Sequence, residues 1–401
     1  MGAWPDLTEY HEAVQHPPKA FADSGLQAVT LELDRFGMPK PATGGNAVVY
    51  KGHQPGGFLS FKKTWAIRCF LRPISDHAER YEAISKHLHK VRLPYDVNFQ
   101  FLKQGIQIRS NWFPIVKMQW AEGDLLHSHI EKHLRSPASL AALREKWVTL
   151  VRDLEAAQLA HGDLQHGNIL VRGGSIQLVD YDGMWVPALK GRNATETGHR
   201  AYQHPERSGE DYGQEIDRFS ALVIYLSLAA LERDASLWER FHTGDNLIFV
   251  REDFQQLGRS EIWQQLRRKG SGQISQLTAA LATMVQKQPM KVSTLDSVLR
   301  NLAHFKFPTS ISAPTPAQRV VPTPAAPTAP TPAKRVAPAP TAPTPAQRVA
   351  PTPTASTPAQ RVAPTPTLPA PKPAAVQGNR AAAGAMPSWM KKNDYRDRSD
   401  D

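Results

Sequence analysis

Three residues in the middle of the chain have the types and the spacing that phosphoryl transfer requires. The run His161-Gly162-Asp163-Leu164-Gln165-His166-Gly167-Asn168 sets an acid and an amide five residues apart, and the apolar stretch Ile169-Leu170-Val171 follows it. An acid in such a loop can orient the proton of an attacking hydroxyl, and an amide oxygen can help to hold a magnesium ion. Twelve residues beyond Asn168, the β-like run 176–180 ends in Asp180. That is the place for a carboxylate chelating the metal that bridges the β- and γ-phosphates of a nucleotide. A single Asp in a loop is ordinarily a turn or cap residue. Asp163, Asn168 and Asp180 in this order are read instead as a nucleotide site, Asp163 and Asn168 catalytic, Asn168 and Asp180 metal-binding. Asp182 is read as a surface or turn residue. His166 is read as loop filling, because this chemistry works by positioning and charge stabilisation.

Other motifs flank this loop. Upstream lie Thr43-Gly44-Gly45-Asn46-Ala47-Val48-Val49-Tyr50 and Trp65-Ala66-Ile67-Arg68. Next come a helical stretch over 76–89 with Tyr81, Ile84 and Leu88 on one stripe, and the strand-to-linker run 114–123. Downstream stand His204-Pro205-Glu206 and the apolar run 219–231 led by Asp217. With these motifs in this order, the sequence resembles the protein kinase superfamily over roughly residues 36–300, most of all the bacterial eukaryotic-type Ser/Thr kinases. The resemblance implies an α+β, two-lobed fold, with a small β-rich lobe carrying one helix and a larger, mainly helical lobe.

It also implies roles. Gly44 and Gly45 would cover the nucleotide phosphates, where small residues let backbone N–H groups approach closely. Val49 and Ala66 would pack on adenine, with Leu170 beneath it. Met118 would be the gatekeeper, and backbone groups of Gln119 and Ala121 would bond the adenine edge. Arg68 stands where the family has its phosphate-binding lysine; the two side chains are not interchangeable. Lys51, on the same strand face as Val49, is a second candidate for the phosphates beside its plainer role as a solvent-facing lysine. The helix should supply a glutamate to pair with the strand cation, Glu82 being preferred over Glu79. Asp217 should brace the catalytic-loop backbone.

The implied cofactors are ATP and Mg²⁺, and the implied acceptor is a Ser/Thr hydroxyl of a protein substrate. Gly162 departs from the family's arginine, which argues against control through a phosphorylated Thr195 or Thr197 by that contact. His199 departs from a threonine. Two alternatives stay open: a catalytically impaired pseudokinase acting as a scaffold, and a small-molecule kinase of the same superfamily.

The remaining features bound the organisation. Of the 34 prolines, 14 fall in residues 1–308 and 20 in residues 309–401. The domains are read as an N-terminal extension 1–35, a small lobe 36–121, a large lobe 122–308, a Pro/Ala/Thr-rich tail 309–385 and a terminal peptide 386–401. The tail repeats Thr-Pro-Ala-Gln/Lys-Arg-Val four times, with Arg319, Arg335, Arg348 and Arg361 spaced 16, 13 and 13 apart. Proline at this density predicts disordered, partly polyproline-II chain, a spacer or a ligand for a partner domain. The net charge is +11, but the segment from 309 carries 11 Lys+Arg against 4 Asp, which leaves +4 for the body. With no zinc-finger or RNP-type motif beside it, that charge argues against nucleic acid as a partner. Cys69 is the single cysteine, so no intrachain disulfide can form. Residues 1–10 lack the apolar core of a signal peptide, and run 219–231 falls short of a bilayer span, so a cytoplasmic protein is expected.

Overall fold

The strand sequences alternate with period two but are apolar on both faces, so both faces of the sheet must be covered. The computed structural model describes residues 4–43, 47–56, 63–73, 75–97, 99–269 and 272–307. Gly44 and Gly45, the tail 309–385 and the peptide 386–401 lie outside the described residues. The architecture is α+β, with a β-sheet N-terminal region and a helical C-terminal region.

The chain opens with α1 (Leu7–Ala13), α2 (Pro17–Ala20) and α3 (Ser24–Gln27). Asp6 caps α1 in a reciprocal capping box with Glu9. Six strands follow: β1 (Thr30–Leu31), β2 (Pro41–Thr43), β3 (Ala47–Gln54), β4 (Lys63–Phe70), β5 (Phe99–Ile108) and β6 (Asn111–Gln119). They form one antiparallel sheet in the order β1-β3-β4-β6-β5, and β2 pairs with β3 as a hairpin. The N-terminal extension 1–35 supplies β1 and three helices that pack on the sheet.

One sheet face carries Val48, Tyr50, Trp65, Ile67, Cys69 and Ile115, and α1–α3 cover it with Tyr10, Val14, Phe21 and Leu26. Lys117 on that face is buried, yet its ammonium meets Asp23 Oδ1 at 2.7 Å and lies 4.3 Å above the Trp65 ring. The other face carries Ala47, Val49, Ala66, Phe70, Val116 and Met118 and runs without a break into the core of the helical region. Between β4 and β5, α4 (Ser75–Val91) lays Tyr81, Ile84 and Leu88 onto this second face.

A small sheet of β7 (Asp124–Leu125), β8 (Ile169–Arg172) and β9 (Ser175–Leu178) begins the helical region. Gly173 and Gly174, at φ +54° and +75°, make the two-residue turn between β8 and β9, a conformation with left-handed residues at both positions. The helices are α5 (Leu126–His133), α6 (Pro137–Ala156), α7 (Arg218–Arg233), α8 (Ser236–Phe241), α9 (Arg251–Gln255), α10 (Glu261–Lys269), α11 (Gly272–Val285) and α12 (Leu295–Arg300). Residues 219–231 of α7 are all buried, as a helix apolar on every side must be, and Trp147 of α6 donates to the Ala221 carbonyl at 3.0 Å. No helix among the described residues is long and apolar enough to cross a membrane.

Candidate functional site

The loop 161–168 is held from below by one buried carboxylate. Asp217, directly before α7, accepts the backbone N–H of His161 at Oδ2 and that of Gly162 at Oδ1, the latter at 2.9 Å. Burial raises the Asp217 carboxyl, and the His161 ring and the two N–H donors oppose that rise. The His161 ring is buried and bonds the Val179 carbonyl at 3.0 Å, tying the start of the loop to the end of β9.

Asp163 is buried and its carboxylate is held on both sides. Oδ1 accepts the backbone N–H of His199 at 2.6 Å, and Oδ2 accepts Gln165 Nε2 at 3.1 Å and Asn168 Nδ2 at 2.9 Å. His199 thus meets Asp163 through its main chain, while its ring pairs with Asp245 Oδ1 at 3.0 Å. Asn168 also donates to the Asp163 carbonyl at 2.9 Å, so its amide oxygen is the end turned away from Asp163. The Asn168 carbonyl accepts the Val179 N–H at 3.0 Å, which brings Asp180, the next residue, beside the loop. Asp180 is buried at φ +67°, a left-handed conformation uncommon for a non-glycine residue. Asp163, Asn168 and Asp180 therefore gather around one short stretch of backbone.

His166 is buried against Tyr202, whose hydroxyl lies 2.6 Å from Nδ1. Burial, with His127 and His199 close by, pushes its imidazole down to about 3. A ring this far below its ordinary range is neutral, which suits a packing role.

Arg68 on β4 points from the second sheet face toward the segment after β9. There Asp182 takes both of its terminal nitrogens, Nη1 to Oδ1 and Nη2 to Oδ2, each at 2.6 Å. Tyr81 of α4 donates its hydroxyl to the same Oδ1 at 2.9 Å. Burial, reinforced by the Asp182 charge, raises the Tyr81 phenol, so it stays a donor. Asp182 does stand in a turn, but its side chain is only 20% exposed and is locked to Arg68. One expectation is corrected here. Neither Glu82 nor Glu79 is the helix partner of that cation: Glu82, 57% exposed, pairs with Lys103, and Glu79, 71% exposed, pairs with Arg192. The physical reason is their position off the apolar stripe of α4, which turns both to solvent.

Of the residues expected around a base, Val49, Ala66, Met118 and Leu170 are buried in the apolar core that joins the second sheet face to the helical region. Val49 lies opposite Arg68 and Ala66 opposite Met118 in the sheet register. Gln119 ends β6 and is exposed, and Ala121 is half-buried just beyond it. Lys51 pairs with Glu32 at 3.1 Å and covers the Trp120 ring at 4.6 Å.

Three residues near the site escaped the sequence reading: Tyr81 as a polar contact, Arg207 and Asp96. Arg207 donates Nη1 to the Gly162 carbonyl at 2.9 Å and to Gln203, which places a guanidinium behind the loop that carries glycine at 162. Asp96 lies next to Tyr181, its carboxyl buried and, among the described residues, without a hydrogen-bond partner. The chain matches no protein-family model and no curated protein.

Proposed function

We propose that the protein is an ATP- and Mg²⁺-dependent phosphotransferase of protein kinase fold, acting on Ser/Thr hydroxyls of a protein substrate. The observation that carries this reading is the gathering of Asp163, Asn168 and Asp180 around the backbone bond from Val179 to Asn168. Asp163, fixed from three sides, would accept the hydrogen bond of the incoming hydroxyl and aim its oxygen. A divalent cation fits the donor set, since Asn168 and Asp180 offer the hard oxygens that Mg²⁺ prefers. Bound there, Mg²⁺ would neutralise charge developing on the transferred phosphate.

The rest of the chain supports the same reading. Val49, Ala66 and Leu170 would hold the base, and Gln119 and Ala121 would meet its edge through their backbone. Arg68 would contact the phosphates. The tail would serve as a spacer or as a ligand for a partner domain, in a cytoplasmic protein. Incubation with γ-labelled ATP, a mixture of proteins and a panel of soluble alcohols tests this. Label should enter protein with wild type and drop at least about a thousandfold with Asp163→Ala. Equal incorporation by both forms refutes the assignment, and label confined to a soluble alcohol selects a small-molecule kinase.

A further inference from the structure

The three-way contact of Arg68, Asp182 and Tyr81 has no role in the function as stated so far. It joins three separate elements: Arg68 from β4, Tyr81 from α4 and Asp182 from the segment after β9. The ion pair is largely shielded, the Arg68 side chain being 14% exposed, and its fork-on-carboxylate form fixes orientation as well as distance. We propose that Asp182 and Tyr81 are positioning residues for Arg68, orienting its guanidinium toward the phosphates of the nucleotide. This rests on the nucleotide-site reading above.

Guanidinium chemistry supports the assignment. Arg68 carries five N–H donors in a plane. Two go to Asp182, and no other acceptor among the described residues takes the remaining three. An arginine can therefore bind a carboxylate edge and phosphate oxygens together, which a lysine ammonium, a compact point charge, cannot do in a fixed plane. The acid itself comes from two residues past Asp180, so one short segment carries both the proposed metal-binding carboxylate and the group that orients the cation. Among the described side chains, α4 meets this pair through the neutral hydroxyl of Tyr81, while Glu79 and Glu82 bond solvent-facing partners. Arginine at 68 and aspartate at 182 form a matched pair, and Arg68→Lys breaks it.

Calorimetric titration of the full-length protein with Mg-ATP and, separately, with adenosine tests the proposal in wild type, Asp182→Asn, Arg68→Lys and Tyr81→Phe. Adenosine has no phosphates and so reports the base site alone. Asp182→Asn and Arg68→Lys should each weaken Mg-ATP about tenfold or more and leave adenosine unchanged. Tyr81→Phe keeps the ion pair and should weaken Mg-ATP about two- to fivefold; it decides the matter if Asp182→Asn does not fold. A lysine at 68 that binds Mg-ATP as well as or better than wild type overturns the proposal. So does an equal loss of both ligands in Asp182→Asn or Tyr81→Phe, which would make the contact merely structural. Wild type that binds neither ligand overturns the nucleotide site itself, an outcome distinct from a wild type that binds both while the variants keep its ATP-to-adenosine ratio.

Discussion

Gly162 and Gly183 approach backbone to backbone, so closely that a Cβ on Gly162 would lie 2.1 Å from the Gly183 carbonyl oxygen. Gly162 also sits at φ +82°, where only glycine is unstrained. This contact presses the loop carrying Asp163 against the segment carrying Asp180 and Asp182, and no side chain fits between them. Gly162→Ala should therefore destabilise the protein by at least about 2 kcal/mol, from left-handed strain and the clash together. Thermal denaturation checks this; an unchanged midpoint would mean that the segments separate without cost.

Asp217 should matter in a different way. Its carboxylate takes the N–H groups of both His161 and Gly162, at the start of a buried loop. Asp217→Ala leaves two donors buried and unpaired, a cost of about 2–5 kcal/mol. In the proposed enzyme, transfer should fall much more than Mg-ATP affinity, because Asp163 loses its aim while Val49, Ala66 and Leu170 stay in place. Comparison of kcat with nucleotide affinity in a folded Asp217→Asn variant separates the two effects.

Asp96 makes stability depend on pH. Burial raises its carboxyl from 3.8 to about 7. The folded protein thus keeps this proton up to about pH 7, whereas the unfolded chain releases it near pH 4. Between those values the folded state binds more protons, so stability falls as pH rises through the window and stays low above it. Asp96→Asn should match wild type near pH 4 and exceed it at pH 8 by up to about 4 kcal/mol, reduced by the desolvation of the new amide. Urea unfolding of both forms at pH 4.5, 6 and 8 measures the difference; parallel curves would show that Asp96 does not titrate across this window.

The loop chemistry was visible in the sequence because it demands fixed residue types at short fixed spacings. Asp163, Asn168 and Asp180 fall within 18 residues, and the backbone bonds that gather them are local to one small sheet. The helix over α4 and the buried α7 were equally visible from periodicity. Arg68–Asp182 was not, because 114 residues separate the partners and only the approach of β4 to the segment after β9 makes them neighbours. Tyr81 was recognised as apolar stripe, which it is over its ring; its hydroxyl needed the position of Asp182. The packing of the first 35 residues on the sheet was not legible, because α2 and α3 have four residues each, too short for a periodic signal.

Those short helices have a consequence for folding. They cover Val48, Tyr50, Trp65, Ile67 and Ile115, a sheet face with no other cover among the described residues. Phe21 and Leu26 are fully buried there, and Tyr10 donates its hydroxyl to the Phe70 carbonyl at 2.8 Å. Lys117 adds a charge to the same interface, neutralised by Asp23. Leu26→Ala should cost about 2–4 kcal/mol, a core-type penalty in a segment that looks peripheral in sequence. Asp23→Ala should cost about 3 kcal/mol or more, because it strands the Lys117 ammonium and removes the acceptor that caps the Leu26 N–H of α3, and Asp23→Ala with Lys117→Met should recover the Lys117 part of that loss but not the cap. Chemical denaturation of the three variants reads these values directly. Near-neutral effects in all three would mean that α1–α3 do not form part of the cooperative unit.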